Sequence, residues 1–393
     1  MSDLQSVLVV GTGLIGTSVA LALREHDVDV LLADRDARAV RLACEMGAGS
    51  PWRPGEHAEP VDLAVIAVPP HFVAEQLKSL QERGAARHYT DVASVKALPI
   101  TQAGRLGCDL TCFVAGHPLA GRERSGPTAA TADLFLGRPW AYCPTEETSP
   151  DAVETLLGLI KLCGGEPVRV GAEEHDRAVA VVSHAPHVTA AAVAARLAEA
   201  SDTALGLAGQ GVRDVTRIAA GDPVLWTGIL SGNALPVAEV LEAVAADLTA
   251  AAAALRRSAA QAAEAGGAAV SDGSEAPSDA ATAGEELAAR GVPPAMSWVT
   301  SLLKRGVAGT GRIPGKHGGP ARAYAVVQVI IGDRPGELAR LFHVAEEAGV
   351  NIEDVRLEHA PGLPLGAAEL SVQPQAAAAL TEALRAHGWH VPA

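Results

Sequence analysis

Aromatic residues make up only 3% of this 393-residue chain, while Ala and Gly are abundant. That skew reads as genomic compositional bias, so an Ala-rich stretch here argues less for helix than it usually would. Cysteine is scarce too. Cys44, Cys108, Cys112, Cys143 and Cys163 are odd in number and form no CxxC pair. The pattern speaks against a disulfide framework or a metal site and suits free thiols in a reducing cytosol. No run of about 18 uninterrupted apolar residues occurs, so nothing reads as a membrane span. The N-terminus, MSDLQSVLVVG, enters a strand-like segment without a basic region, so no secretory signal is expected and a cytoplasmic location is. Basic charge is also in short supply. A net charge of -15 argues against nucleic-acid and anionic-membrane partners, which need a basic surface. If the substrate is an anion, the few cations must be concentrated at its site.

What is present divides the chain into distinct regions. From Ser6 to about Gly171, short apolar runs alternate with helical patterns, the signature of βαβ units around a parallel sheet. The buried-strand candidates are Val7–Val10, Val28–Ala33, Leu63–Val68, Tyr89–Val92, Cys112–Ala115 and Val168–Val170. From Ala172 helical patterns take over, notably Glu173–Ala200 and Pro236–Arg257. Residues 258–292 lack apolar periodicity and read as a flexible insertion. A short helix around Trp298–Lys304 and a Gly-rich stretch, GVAGTGRIPGKHGG, follow. That stretch holds Arg312, Lys316 and His317, and either binds an anion or connects domains. From Tyr324 onward strand, turn and helix alternate as a small βαββαβ unit ending in WHV. The expected architecture is an α/β Rossmann domain (1–171), an all-α domain (172–319) and a small α+β domain (320–393).

The first segment, VLVVGTGLIGTSVALAL, runs from strand through Gly11-Thr12-Gly13-Leu14-Ile15-Gly16 into a helix. Gly11 permits the tight turn, Gly13 lets backbone approach a pyrophosphate, and Gly16 packs helix on strand. The helix start then offers free N–H donors and a positive dipole end to the phosphates. Asp34, at the end of the second strand, is placed to bond the adenosine ribose hydroxyls and repel a 2′-phosphate, which favours NAD over NADP. Arg35 beside it is the one residue that pulls toward NADP. The run AVIAVPP brings Val68 and Pro69 to the loop past the fourth strand, where a cofactor lies in this fold.

Three further motifs follow. DVASVK supplies Ser94 and Lys96; GHPLAGRERSG supplies His117, Glu123 and Ser125; SHAPH supplies Ser183, His184 and His187. After them come RDVTRIA, with Asp214 and Arg217, and then Trp226. His117 is the candidate general base, since a neutral imidazole near its ordinary pKa suits removal of a hydroxyl proton. Ser183 and His187 are i,i+4 on one helix face as substrate contacts, with His184 pointing elsewhere as a structural residue. Asp214 and Arg217 are i,i+3 neighbours if helical, and Arg217 offers a bidentate fork for a carboxylate. Trp226, after Asp222-Pro223, sits at a helix start and is either a pocket wall or plain core.

These motifs together resemble the prephenate/arogenate dehydrogenase family over roughly residues 5–257 and again at GRIPGKHGG. The resemblance implies an enzyme that oxidises and decarboxylates prephenate with NAD in tyrosine biosynthesis, with arogenate as the alternative substrate, while the many apolar helices from Glu173 to Arg257 are expected to form a symmetric homodimer interface. It also implies that Ser94 holds the reacting hydroxyl in register, that Arg217 binds a substrate carboxylate, and that Glu123 orders the site through Arg217. Gln210 departs from the family's frequent glycine, which bears on the shape of the side-chain pocket. The segments DRPGELARL and GVNIEDV resemble an ACT domain, a module that binds amino acids. That places Gly336, Asn351 and Ile352 at a ligand edge, with tyrosine as the candidate effector and a ligand-free assembly module as the alternative. Two rivals remain. A hydroxyacid dehydrogenase would place a KxxxN pair in the helical region, and none is found. A non-catalytic NAD sensor would not need Ser94, His117 and Arg217 together.

Overall fold

The computed structural model describes residues 4–53, 55, 59–121, 126–266, 293–314, 324–359 and 364–392. Glu123, Ser125, Lys316 and His317 lie outside them, as does most of the expected insertion. Spatially the chain forms two compact units, Met1–Ala246 and Asp247–Ala393. The expected boundary at 171/172 falls within the first of these units, and the one at 319/320 lies outside the described residues.

The first unit begins with β1 (Ser6–Val10), α1 (Leu14–Arg24), β2 (Asp29–Ala33), α2 (Ala37–Glu45), β3 (Ser50–Pro51), β4 (Val61–Ile66), α3 (Val73–Glu82), β5 (Ala86–Asp91), α4 (Ala97–Arg105), β6 (Phe113–Pro118), β7 (Pro139–Cys143), α5 (Pro150–Leu162) and β8 (Glu166–Arg169). The strands form one sheet in the order β3-β2-β1-β4-β5-β6-β7-β8, parallel except where β6 meets β7. The central strands are apolar runs because helices cover both their faces: Val7, Leu8, Val9, Leu63, Ala64 and Val65 are buried. Between β1 and its neighbours β2 and β4 the chain order reverses, and a crevice opens at the strand ends there. Every expected strand of this sheet is present. The reading missed β3, which is only a bridge-length strand, and β7, whose PWAYC opens on a proline and is too short to show a period.

The chain then turns helical: α6 (Ala172–Val179), a π turn (Ala180–His184), α7 (Ala185–Leu197), α8 (Asp202–Gly206), α9 (Gln210–Thr216), a 3-10 turn (Arg217–Ala220), α10 (Pro223–Gly232) and α11 (Ala234–Gly266). The expected single helix Glu173–Ala200 is interrupted. Pro186 lacks the N–H that would bond Val182, and its ring crowds that carbonyl, so the preceding turn widens. By length and mean hydropathy, Ala172–Leu197 could cross a membrane. Its buried His175, Asp176, His184 and His187, however, serve the folded unit described below. Asp222 caps α10, accepting from Val224 N at 2.7 Å, with Pro223 at the first helical position. Helix α11 continues to Gly266, into the expected insertion, because Ala, Arg, Gln and Glu there are strong helix formers even without an apolar stripe.

The second unit contains α12 (Ser297–Thr310), β9 (Ala325–Gly332), α13 (Glu337–Glu347), β10 (Ile352–His359), β11 (Leu365–Val372) and α14 (Ala377–Ala386). Helix α12 runs past the expected Lys304 through Gly306 and Gly309, a cost of about 1 kcal/mol per glycine that the helix tolerates. The sheet is antiparallel, β10-β11-β9, and packs Val329, Ile331, Leu370 and Val372 against Leu341, Leu380 and Leu384. The expected final strand WHV is reduced to a single bridge between His390 and Ile330, with Trp389 buried beneath it.

Candidate active site

The C-terminal edge of the sheet gathers the sequence motifs. At the end of β1, Gly11 has φ +105°, and a Cβ there would lie 2.2 Å from the Ala67 carbonyl oxygen at the end of β4. A Cβ on Gly16 would lie 1.9 Å from the Gly11 carbonyl oxygen. Both positions are closed to any larger residue, whereas a Cβ on Gly13 would meet nothing within 4 Å. Gly13 and Ile15 are half-exposed, and helix α1 begins without a side-chain cap, so its first N–H groups remain available to an anion. Asp34 holds this loop: Oδ2 accepts from Thr12 N at 2.6 Å and Thr12 Oγ1 at 3.1 Å, and Oδ1 from Asp36 N at 2.9 Å. Leu14 contributes backbone alone, since its side chain packs in the core. Val68 and Pro69 lie beside the loop, following the Ala67 N–H that bonds Val10. A dinucleotide fits this cradle.

Ser94 and Lys96 follow β5, and His117 lies near the end of the adjacent β6. Lys96 is wholly buried. Its Nζ donates to Asp91 Oδ2 and to the Gly116 carbonyl, each at 2.5 Å, while Gly116 N donates to Asp91 Oδ1 at 3.1 Å. Burial pushes the Asp91 carboxyl up, and the Lys96 ammonium pulls it back. This buried pair ties β5 to β6 immediately before His117, so Lys96 is scaffold.

His117 is the end of a chain of side chains that the sequence reading did not foresee. Its Nδ1 lies 2.9 Å from His175 Nε2, and His175 Nδ1 lies 2.8 Å from Asp176 Oδ1. The Asp176 carboxylate is fixed in turn by the backbone N–H groups of Lys96 (2.8 Å) and Ala97 (2.9 Å). Protons follow from the order. A carboxylate can only accept, so His175 carries its proton on Nδ1 and accepts through Nε2 from His117 Nδ1–H. The lone pair of His117 is thereby left on Nε2. Burial, reinforced by His175, Lys96 and His184, holds His117 well below the ordinary imidazole range, so it is neutral and able to accept a proton at pH 7. His175 and Asp176 lie in α6 before the SHAPH motif. The only signal that could have found them is the adjacent His-Asp pair in AEEHDR.

The helical wall differs from expectation. His184 does not point away from His187: both are buried and both meet Trp226, His187 stacked at 3.5 Å and His184 edge-on at 6.2 Å. The π turn shifts the angular positions that a regular helix would have given them. Gly221 lets the chain pass this pair, for a Cβ there would lie 2.5 Å from Trp226 Nε1 and 3.1 Å from His187 Cε1. Trp226 is therefore half-buried wall rather than plain core. Ser183 is half-buried beside them. Arg217 and Asp214 are exposed on the segment that packs against α7, and Asp214 accepts from Gln210 Nε2 at 2.8 Å. Gln210 thus has a partner four residues along its own helix.

In the second unit Gly336, at φ +89°, lines a cavity with Asp333, Arg334, Glu337, Leu357 and Gly366. Asn351 and Ile352 line a different groove with Phe342 and Val355. The three expected effector contacts therefore do not share one pocket within this chain.

Known proteins match this layout. Residues 19–169 match the family described as prephenate dehydrogenase, nucleotide-binding domain, and residues 171–264 its dimerization domain. A Streptomyces niveus protein named "Probable prephenate dehydrogenase NovF" is 40% identical over 388 residues, 98% of this chain and 99% of that one. The solved structure of prephenate dehydrogenase from A. aeolicus, in complex with hydroxyphenyl propionate and NAD+, superposes with TM-score 0.58 at 28% identity. It covers 65% of this chain and 92% of that one. Synechocystis arogenate dehydrogenase gives TM-score 0.55 at 27% identity, covering 65% and 93%. With the nucleotide cradle, His117 at the strand end and the helical wall following in chain order, this protein belongs to the prephenate dehydrogenase family.

Proposed function

We propose that this chain is an NAD-dependent prephenate dehydrogenase, forming 4-hydroxyphenylpyruvate and carbon dioxide. The observation that carries the reading is the Asp176–His175–His117 chain, which ends in an Nε2 lone pair at the same C-terminal end of the parallel strands as the Gly11–Gly16 cradle. Bound nicotinamide supplies the hydride acceptor. His117 Nε2 takes the ring hydroxyl proton as the C–H bond gives up its hydride and the C–O bond becomes a carbonyl. The positive charge that forms on His117 is shared toward His175 and the Asp176 carboxylate. The ring carboxylate then leaves as carbon dioxide, its bonding electrons pass through the dienone to the oxygen, and His117 returns the proton to give the phenol. Ser94 holds the hydroxyl. His187, Ser183 and Trp226 line the ring pocket, and Arg217 takes a carboxylate. Gly11, Thr12, Gly13, Leu14, Ile15, Gly16, Asp34, Val68 and Pro69 hold NAD.

The chain works in the cytoplasm as a homodimer. Leu207 (81%), Val224 (82%) and Leu235 (70%) are exposed apolar side chains within the segment matching the dimerization domain, and covering them supplies a driving force for association. The β9–α14 region is an ACT-like regulatory domain that takes an aromatic amino acid, tyrosine first among them. Arogenate would pass through the same steps, and the likeness to Synechocystis arogenate dehydrogenase makes it the second substrate to try. The deciding experiment is NADH formation from NAD with prephenate or arogenate, with NADP as the control. No turnover of either substrate sinks the assignment.

A further inference from the structure

Asn233, between α10 and α11, determines the protonation of a neighbouring histidine. Its Nδ2 lies 2.7 Å from the Asp176 carbonyl oxygen, an atom that can only accept, so the amide nitrogen faces that side. The same nitrogen lies 3.1 Å from His184 Nδ1, which must also accept. A neutral imidazole accepting through Nδ1 carries its proton on Nε2. Burial pushes His184 down to about 4, so the ring is neutral at pH 7 and Nε2–H is its single donor. That atom is buried and meets no partner among the described residues, in a side chain only 1% exposed. A buried donor without a partner is rare enough to need an explanation. The ring stands edge-on to Trp226, on the wall where His187 is stacked.

We propose that His184 is a substrate-binding residue whose Nε2–H donates to a carboxylate oxygen of the substrate, with Asn233 as the positioning residue that fixes its tautomer. The inference rests on the reading above. His117 offers an acceptor and so takes the hydroxyl, whereas His184 offers only a donor. Among prephenate's remaining polar atoms, all acceptors, the carboxylates make the strongest bonds to a donor. A neutral donor also binds the anion without requiring a charged group to be buried when the site is empty.

Turnover of prephenate by the wild-type chain tests the underlying reading separately. With 15N-histidine-labelled protein, His184 Nε2 should be the proton-bearing nitrogen. Its resonance should move when prephenate is added with NADH, a pair that cannot react. His184→Phe should raise KM for prephenate by about 10- to 100-fold, the scale of a lost hydrogen bond to a charged group. It should change kcat less and leave KM for NAD alone. His184→Gln, which keeps a donor, should recover much of the loss and covers the case in which the Phe variant does not fold. A proton found on Nδ1, an Nε2 resonance unmoved by prephenate, a wild-type KM in a folded His184→Phe variant, or a KM raised by the full amount, about 10- to 100-fold, in a folded His184→Gln variant would overturn the proposal.

Discussion

On the sheet side of the site, Gly11 and His117 are placed by the ends of paired strands, where backbone hydrogen bonds set each position, and Gly16 by the close approach of α1 to the Gly11 carbonyl. On the helical side, His175, Asp176, His184 and His187 are placed by side-chain bonds reaching tens of residues along the sequence, and by one widened helical turn. The sheet side tolerates few substitutions because another backbone occupies the space. The helical side depends on polar partners that must all be present together. Removing one should therefore leave the fold largely intact while disturbing the chemistry.

The sharpest break in this comparison is His117→Asn, which removes the acceptor and leaves the strand. The expected result is a fall in kcat of about 100-fold or more with KM for prephenate changed much less. Steady-state kinetics would check it, and near-normal kcat would reassign the base.

Asp176→Asn tests the relay from the helical side. Without the carboxylate, the positive charge on His117 and His175 loses its counter-ion, so kcat should fall about 10- to 100-fold. The wild-type acidic limb should lie below pH 6.5, because His117 is held below the ordinary imidazole value, and activity is lost only as pH falls through that lowered value. In the variant the limb should move to still lower pH while the plateau drops. Stability obeys a related sign. His117, His184 and His187 all have folded values below 6.5, so the unfolded chain binds protons first. The stability they contribute is complete above about pH 6.5 and is lost as pH falls through their lowered folded values, about 4 for His184. For His184 alone the loss is about 2–4 kcal/mol. Urea titrations at pH 7 and pH 4.5 on wild type and His184→Gln would measure it, and a slope shared by both proteins would remove His184 from the account.

These two histidine-centred tests mark where the sequence was legible. GxGxxG, the strands around it and His117 could be read because each is a local pattern with a mechanism. The His175–Asp176 pair could not, because its role depends on a bond to a residue far away in sequence and on two backbone N–H groups of the β5–α4 loop. His184 was misplaced for a different reason: i,i+4 reasoning assumes a regular helix, and Pro186 makes this one irregular. The final strand failed because WHV has β-propensity without enough partners to extend beyond a bridge.

Arg217→Ala asks how much of the anion's affinity comes from the exposed rim rather than the buried wall. Arg217 is exposed in this chain, so water screens its charge and its removal should raise KM for prephenate by about 10-fold, with KM for NAD unchanged. A rise as large as that from His184→Phe would move it from rim to clamp.

The smallest expected effect lies in the second unit, where the comparison extends from catalysis to regulation. The cavity at Gly336 carries Asp333, Arg334 and Glu337, so it offers both signs of charge to the ammonium and carboxylate of an amino acid. The groove at Asn351 and Ile352 offers Glu346 as its one charged residue. If an amino acid is bound within one chain, the first cavity is the better match, and effector binding must favour one arrangement of the enzyme by about 1–3 kcal/mol to be felt at all. Arg334→Ala should then weaken the response to tyrosine by about 3- to 10-fold while leaving basal kcat and KM unchanged, because every residue assigned to catalysis belongs to the first unit. Asn351→Ala should do less. Inhibition curves on the full chain, paired with calorimetric titration of tyrosine, separate the two. An Asn351→Ala effect larger than that of Arg334→Ala would put the ligand in the other groove, and equal, unaltered curves would reduce this unit to an assembly module.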